Sequence, residues 1–185
     1  MPRILLVEPA TMNAEQIRVY RAMLDGPRKS PPVGPLAVAM HRPELAEAMS
    51  TLGLVLRFNS TFAPRLREFS ILLTGRYWDC QFEWVTHEAE ARKAGLSAAT
   101  IETLRAGGTR FDPADEQSIH DYGIELLTKH FASDAAYQSV LALFGIAGVV
   151  ELTAPIGYYA MIALTLNAAE FEVPAGMTPP LPPRE

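Results

Sequence analysis

Residues 65–97 read RLREFSILLTGRYWDCQFEWVTHEAEARKAGLS, and this stretch decides the fold. A helix is predicted from Pro64, which suits a first helical turn, to Trp78. Its apolar residues recur at helical spacing: Leu66, Phe69, Leu72 and Leu73. A second helix is predicted to begin at Asp79 as its N-cap and to end before Gly95, a typical stop residue. The stretch therefore predicts two consecutive helices.

The second of these helices carries three chemically active side chains on one face. Cys80, Glu83 and His87 stand at positions i, i+3 and i+7. On the preceding helix, Glu68 lies among apolar neighbours, so its carboxylate is expected to turn inward. Antiparallel packing of the two helices would bring Glu68 close to His87. Two carboxyl groups and an imidazole in an apolar pocket form a proton relay suited to general acid–base chemistry.

Plainer interpretations of the same residues stay open at this point. Glu83 and His87, four residues apart, would also form an ordinary exposed pair on a helix surface. Glu68 could pair with Arg65 or Arg76 on its own helix. Each of these arrangements would leave no relay.

The same residues also allow a reactive thiol at Cys80 or a metal site. A lone Cys80 is more often a small buried residue than a nucleophile, although a place in the first turn of a helix lowers the pKa of a thiol. Glu68, Glu83 and His87 could in principle hold a metal ion, but a relay of this kind needs none, so neither a metal nor a cofactor is expected. The other histidines show no metal-ligand spacing: His41, His120 and His130.

Helix signals dominate the rest of the chain as well. Asn13 and Gln16 form a predicted capping box for a first helix. The predicted helices outside the central pair cover residues 14–24, 43–57, 98–107, 113–131, 135–150 and 152–169. Four prolines make residues 26–35 a loop or arm, and five prolines in residues 173–185 predict a tail that stays off the core. We therefore predict an all-α chain of about six to eight helices, divided into an N-terminal helix and arm (1–35), a helical domain (36–172) and a tail (173–185).

Composition limits the classes of function. The 185 residues are 49% hydrophobic, which rules out a largely disordered chain. A net charge of −5, with 16 Lys and Arg and no dense basic run, argues against nucleic-acid binding. One cysteine excludes an internal disulfide, a zinc ribbon and a self-contained dithiol pair.

The two apolar helices predicted near the C-terminus bear on location and assembly. Each is shorter than the roughly 20 clean apolar residues of a membrane span, and Glu151, Pro155 and Gly157 interrupt them. With no secretory signal at the start, we expect a cytoplasmic protein without a membrane partner. A monomer of this size covers two such helices with difficulty, so we expect a homo-oligomer.

The central stretch resembles the signature helix pair of the carboxymuconolactone decarboxylase family, which includes the AhpD-type alkylhydroperoxidases. The resemblance rests on Glu68, on Cys80-x-x-Glu83-x-x-x-His87 and on AGLS at residues 94–97. More weakly, residues 148–171 resemble the C-terminal helix of longer members. The resemblance implies an all-helical fold that assembles as trimers or hexamers.

The resemblance also implies two chemistries. In the AhpD-type peroxidases a second cysteine attacks peroxide and forms a disulfide with the first, but Glu83 stands at that cysteine's position here. A carboxylate cannot cycle through sulfenic acid and disulfide, so dithiol peroxidase turnover is not expected, although a one-cysteine peroxidase using Cys80 stays open. The decarboxylase branch needs no cysteine and removes CO₂ from gamma-carboxymuconolactone. There His87 would supply the proton, with Glu83 and Glu68 orienting it.

A small carboxylated or lactone substrate makes further demands on the site. Two ionised glutamates would repel an anionic substrate, so one carboxyl should be protonated or Arg65 or Arg76 should supply a counter-charge. Three aromatic side chains are candidates to line the pocket, although core packing is the commoner role: Tyr77, Trp84 and Tyr158. A non-catalytic oligomeric protein is the remaining alternative.

Overall fold

A computed structural model describes residues 2–182, and within them the chain forms eight α-helices and no β-strand. After a 3-10 turn at Pro9–Thr11, the helices in chain order are α1 Ala14–Asp25, α2 Pro35–Ala39, α3 Pro43–Phe58, α4 Pro64–Tyr77, α5 Gln81–Lys93, α6 Ala98–Arg105, α7 Ala114–Lys129 and α8 Asp134–Ala168. The predicted all-α class and the helix number are confirmed. Only α2 was not anticipated, because five residues are too few to show a helical period.

The chain divides into two compact units. One contains the described residues up to Asn59 together with Leu164–Glu172. In it, α3 packs against both α1 and α2. The predicted capping box at the start of α1 is present. The side chain of Asn13 accepts a hydrogen bond from the backbone N–H of Gln16, and the side chain of Gln16 accepts one from the backbone N–H of Asn13. The division predicted from composition, at residues 35 and 172, stays a prediction.

The other unit contains Ser60–Ala163 together with the described residues from Val173 onward. In it, α4 is the central helix and packs against α5, α6 and α7. Its buried core includes Phe69 and Leu72 from α4, Trp84 from α5 and Ile119 from α7. The packing places the inward faces of α4 and α5 against each other.

The turn between α4 and α5 corrects one prediction. Cys80, not Asp79, is the N-cap residue of α5. Asp79 instead adopts a left-handed conformation, with φ of 46°, and its carboxylate pairs with Arg76. The backbone N–H of Cys80 donates to Gly75 O at 2.9 Å, the pattern of a Schellman ending on α4. So short a connection needs one left-handed residue, a conformation that Asp tolerates better than most.

The apolar C-terminal segment also differs from its prediction. One helix, α8, runs through the interruption that we expected between residues 150 and 152, and Pro155 lies inside it. The break in the helix lies at Gly145, with φ of 67° and ψ of −178°, a conformation that glycine adopts without a steric penalty. By length and composition α8 is long and apolar enough to cross a membrane, and 33% of its most apolar stretch is buried.

The proline-rich tail joins the core, contrary to prediction. Leu181 is buried and belongs to the apolar cluster of the second unit. The side-chain amide of Gln81 donates to Leu181 O at 3.0 Å and accepts from Leu181 N at 2.9 Å. Prolines deprive the tail of several N–H donors, but Leu181 keeps its own donor and an apolar side chain. The last predicted tail residues, 183–185, lie outside the described residues.

Candidate active site

The packing of α4 on α5 brings two buried side chains together. The Nδ1 atom of His87 lies 2.7 Å from Oε2 of Glu68. Glu68 is 1% exposed and His87 is 4% exposed. The interpretation of Glu68 as a partner of Arg65 or Arg76 is therefore wrong. A hydrogen bond from Nδ1–H to a carboxylate holds an imidazole in one tautomer and one orientation.

Glu83 lies on the other side of the same ring. Its Oε2 atom is 3.5 Å from Nε2 of His87, and Glu83 is 5% exposed. At 3.5 Å the two atoms are close enough for charge interaction but too far for a good hydrogen bond. The pair is buried, so its interpretation as an exposed surface pair is wrong. The imidazole is therefore flanked by one carboxylate at each ring nitrogen.

This arrangement does not fit a shared metal ion. Glu68 and Glu83 approach opposite nitrogens of His87, so their oxygens do not converge on one point with a ring nitrogen. Over residues 2–182, no group of three His, Cys, Asp or Glu side chains is placed to hold a metal ion. The geometry suits proton movement through the ring better than metal ligation.

A guanidinium contacts the relay, although it is not one that the sequence suggested. Nε and Nη2 of Arg67 each lie 3.3 Å from Oε1 of Glu68. Arg65 instead binds Asp115 and Glu116. The positive charge next to the relay therefore comes from Arg67. The sequence held no signal for this, because three arginines lie within reach on one helix and only packing decides between them.

Cys80 lies at the N-cap of α5, one turn before Glu83. It is a free cysteine with 1% exposure. Its place at a helix N-terminus favours a thiolate, whereas its burial disfavours one. Burial also means that a reagent reaches the sulfur only when the neighbouring structure opens.

Aromatic side chains surround the relay differently from the prediction. The ring of Tyr159 meets His87 edge to face, with centroids 5.1 Å apart, and Tyr158 packs edge to face on Tyr159. Trp84 is fully buried in the core and Tyr77 packs against Trp78. The sequence indicated Tyr158 but missed Tyr159, because two adjacent tyrosines differ by 100° around a helix and the pattern alone does not say which one faces α5.

A second charged cluster holds the outer part of α5 in place. Glu88 accepts a hydrogen bond from Trp84 Nε1 at 2.8 Å and pairs with Arg92 and Arg105. Burial opposes ionisation of Glu88, yet the hydrogen bonds from Arg105, Arg92 and Trp84 hold the pKa of its carboxyl below its ordinary value. Glu88 therefore stays ionised at neutral pH, and its ion pair with Arg105 of α6 links α6 to the helix that carries His87.

The remaining histidines have separate surroundings. His120 packs on Phe111 and its Nδ1 atom lies 2.9 Å from Asp121 Oδ1. His41 Nε2 lies 2.8 Å from the carbonyl oxygen of Leu5. The rings of His120 and His41 therefore each have a local structural partner.

Comparison with known proteins places the fold. No protein-family model matches the chain, and no curated protein matches it. A crystal structure titled alkylhydroperoxidase AhpD core, an uncharacterized peroxidase-related protein from Ralstonia eutropha JMP134, superposes with a TM-score of 0.76 at 14% identity, covering 94% of this chain and 93% of that chain. A protein of unknown function from Agrobacterium tumefaciens, described as a candidate AhpD antioxidant defence protein, superposes with a TM-score of 0.63 at 20% identity, covering 74% of this chain and 95% of that chain. The fold is therefore AhpD-like.

Proposed function

We propose that this protein performs cofactor-free acid–base chemistry of the carboxy-lyase type on a small carboxylated or lactone substrate. One observation carries the proposal: a buried imidazole, His87, has Glu68 at one ring nitrogen and Glu83 at the other. Side chains that exchange protons at neutral pH are effective catalysts when a protein fixes their geometry and excludes water. The AhpD-like fold supports a place in the superfamily that contains AhpD and carboxymuconolactone decarboxylase, in which both lyase and peroxidase chemistry occur.

The distances from Glu68 and Glu83 to the ring of His87 indicate which ring nitrogen exchanges a proton with the substrate. Glu68 holds the Nδ1 side of His87, so Nε2 is the nitrogen that exchanges a proton with a substrate. In the proposed step the bond from the substrate carbon to its carboxylate breaks, CO₂ leaves, and the electron pair delocalises into the adjacent carbonyl. His87 acts as the imidazolium in this step: Nε2–H donates its proton to that carbon, and the ring is left as the neutral tautomer whose Nδ1–H is bonded to Glu68. Glu83, 3.5 Å from Nε2, is placed to return a proton to the ring.

The charge balance of the site involves Arg67. An anionic substrate would be repelled by two ionised glutamates, at an energetic cost that grows in a water-poor site. The Arg67 guanidinium, in contact with Oε1 of Glu68, offsets one of the two negative charges. Because the relay is buried, we expect substrate entry to require side-chain motion around it.

Turnover of gamma-carboxymuconolactone, followed by CO₂ release, tests the proposal. We expect His87→Ala to lower kcat by about 10²–10⁴-fold, the range that general acid–base groups contribute. Cys80→Ala serves as the matched control on the same helix and should keep activity. Circular dichroism must show that each variant is folded. A wild-type protein that turns over neither this lactone nor other carboxylated lactones would overturn the proposal.

Thiol-based peroxide reduction at Cys80 is the second candidate. The position of the thiol at the N-cap of α5 favours it, as does the likeness of the fold to the peroxidase-related protein from Ralstonia eutropha. The Cys80 thiolate would attack the peroxide, forming an S–O bond and breaking the O–O bond; the peroxide is reduced to alcohol or water, and the cysteine is oxidised to sulfenic acid. An external thiol would restore it. Peroxide-dependent sulfenic acid at Cys80, reversed by added thiol, would favour this candidate, and an unreactive Cys80 would remove it.

We further propose a cytoplasmic protein that acts on a small molecule without a nucleic-acid or membrane partner, and that assembles as a homo-oligomer. The acidic net charge argues against a nucleic-acid partner. The exposed apolar surface of α8 supports the last.

A further inference from the structure

The C-terminal segment is anchored to α5 through Leu181. We call residues 173–182 the C-terminal strap. Among these residues Leu181 alone is buried, and it packs into the core of the second unit. The side-chain amide of Gln81 makes two hydrogen bonds to the backbone of Leu181, at 3.0 and 2.9 Å. This buried side chain and this amide therefore form the anchor of the strap.

The rest of the strap stands off the protein. Residues 174–179 are all exposed. An open groove of about 390 Å³ separates Met177 and Pro180 of the strap from Val85 and Ala89 of α5. Segments with few buried apolar contacts open at a low free energy compared with the core. Loss of the anchor would therefore be enough to release the strap.

The anchor lies at the first turn of α5. Gln81 is the first residue of that helix, directly after the N-cap Cys80 and two positions before Glu83. Cys80 and Glu83 are both buried. The first turn of a helix has backbone N–H groups without intrahelical partners, so contacts from outside the helix contribute most to its order there. The strap therefore supports the turn that holds these two side chains.

The strap and α4 hold this turn from different sides. At 3.6 residues per turn, Glu83 lies about 160° around the helix from Gln81. Glu83 is close to α4, since a Cβ atom built on Gly75 would lie 3.7 Å from the Cβ atom of Glu83. The first turn of α5 is thus enclosed between α4 and the strap, and it loses one of these two supports when the strap is released.

We propose that the C-terminal strap is a latch. With Leu181 docked, the first turn of α5 is closed; local release of the strap opens that turn to small molecules while the rest of the chain stays folded. The buried side chains of α5 must be reached by any substrate, and a segment held by one buried residue opens more readily than a helix packed on the core. Release of the strap is then the step that admits a small molecule, whichever chemistry follows.

Labelling of Cys80 by N-ethylmaleimide tests the proposal, because the chain has one cysteine and mass spectrometry counts its modification. We expect Leu181→Ala and, independently, Gln81→Ala to be labelled about 10–100-fold faster than the wild type. The first removes the buried side chain of the anchor and the second removes its two hydrogen bonds.

The chain offers a matched control for each variant. Met177→Ala changes a strap residue that is 53% exposed. Thr86→Ala changes an exposed side chain on α5. Both controls should be labelled at the wild-type rate. Labelling rates in unfolding concentrations of urea correct for the intrinsic reactivity of the thiol.

Urea distinguishes release of the strap from unfolding of the whole chain. Release of the strap exposes little surface, so the labelling rate at low urea should depend weakly on urea, whereas global unfolding exposes the core and responds steeply. Circular dichroism in the same urea series measures the global unfolding of each variant.

Two results would overturn the proposal. One is labelling of Leu181→Ala and Gln81→Ala at the rates of the controls. The other is labelling that rises with urea as steeply as unfolding itself in every variant, since Cys80 would then be reached only when the whole chain unfolds. Neither result depends on turnover, so the latch and the proposed chemistry of His87 are tested separately.

Discussion

Nδ1 of His87 lies 2.7 Å from Oε2 of Glu68, although 19 residues separate them in the sequence. Glu83, only four residues from His87, is further from the ring, at 3.5 Å from Nε2. The shorter contact joins two helices and the longer one lies within α5. The orientation of the imidazole is therefore set by the packing of α4 on α5 rather than by local helix geometry.

This difference predicts unequal effects of two similar substitutions. Glu68→Gln should lower kcat/KM for the substrate by about 10²-fold, because an amide no longer holds the tautomer that a carboxylate selects. Glu83→Gln should lower it less, because its contact with the ring is longer. Nitrogen-15 NMR of the histidine ring reports the tautomer directly and should change in Glu68→Gln alone.

Glu90→Gln is the control for this pair. It changes another carboxylate on α5, one that pairs with Lys93 at the surface. If Glu68→Gln left both the tautomer and the activity as they are in the wild type, Glu68 would have no part in the relay.

The start of α1 could be predicted because its signal is local. Asn13 and Gln16 form a capping box from residues three apart, so the sequence contains the whole interaction. The spacing of Cys80, Glu83 and His87 likewise defines one helix face. Local patterns therefore predicted most of the helices, and the expected packing of two consecutive helices predicted the approach of Glu68 to His87.

Long-range choices could not be predicted in the same way. Tyr159 rather than Tyr158 contacts His87, and Arg67 rather than Arg65 contacts Glu68, because tertiary packing selects among neighbours of one type. Leu181 enters the core although the residues around it are prolines. Composition described that segment correctly as proline-rich but did not reveal the partner, Gln81, that lies 100 residues away.

The buried position of Leu181 predicts a measurable contribution to stability. Leu181→Ala should lower the free energy of unfolding by about 2 kcal/mol. This is the lower end of the range for truncating a buried leucine to alanine, because a terminal segment can relax around the cavity. Urea denaturation followed by circular dichroism measures the change. Met177→Ala in the same segment is the control, because Met177 is 53% exposed and should change stability little. Equal effects of the two substitutions would contradict the placement of Leu181 in the core.

Glu151 predicts a pH-dependent contribution to stability. Burial opposes its ionisation, but hydrogen bonds from Ser60, Thr61 and Phe62 hold the pKa of its carboxyl below the ordinary value of 4.5. A group whose pKa is lower in the folded state stabilises the fold above its unfolded-state pKa. That contribution disappears as the pH falls through the lower folded-state value.

Glu151→Gln should therefore lower the unfolding free energy by about 1 kcal/mol at pH 7, the modest value expected for a partly exposed charged hydrogen bond. The difference from the wild type should shrink as the pH falls below about 4.5. Urea denaturation between pH 3 and pH 7 measures it. Glu44→Gln, which changes an exposed carboxylate 3.9 Å from Arg42, is the control for the removal of a surface charge. A constant difference at all pH values would contradict the assigned ionisation.

Two glycines on neighbouring helices predict how tightly α7 is packed. A Cβ atom at Gly123 of α7 would lie 2.8 Å from Leu73 of α4 and 3.4 Å from Ile156 of α8, whereas one at Gly157 meets nothing within 4 Å. Both substitutions to alanine gain helix propensity, worth up to about 1 kcal/mol. Only Gly123→Ala forces atoms apart in a packed core, which costs about 1–3 kcal/mol.

We therefore expect Gly157→Ala to raise the unfolding free energy slightly. The unfolding free energy of Gly123→Ala should be about 1–3 kcal/mol lower than that of Gly157→Ala, because both variants gain helix propensity but only Gly123→Ala overpacks the core. Urea denaturation at micromolar protein concentration compares the two variants directly. Equal stabilities would show that Leu73 moves aside without loss, and hence that the contact of α7 with α4, the helix that carries Glu68, is loose. A gap of the expected size would show that α7 holds the central helix, and with it the carboxylate that orients His87, in a fixed position.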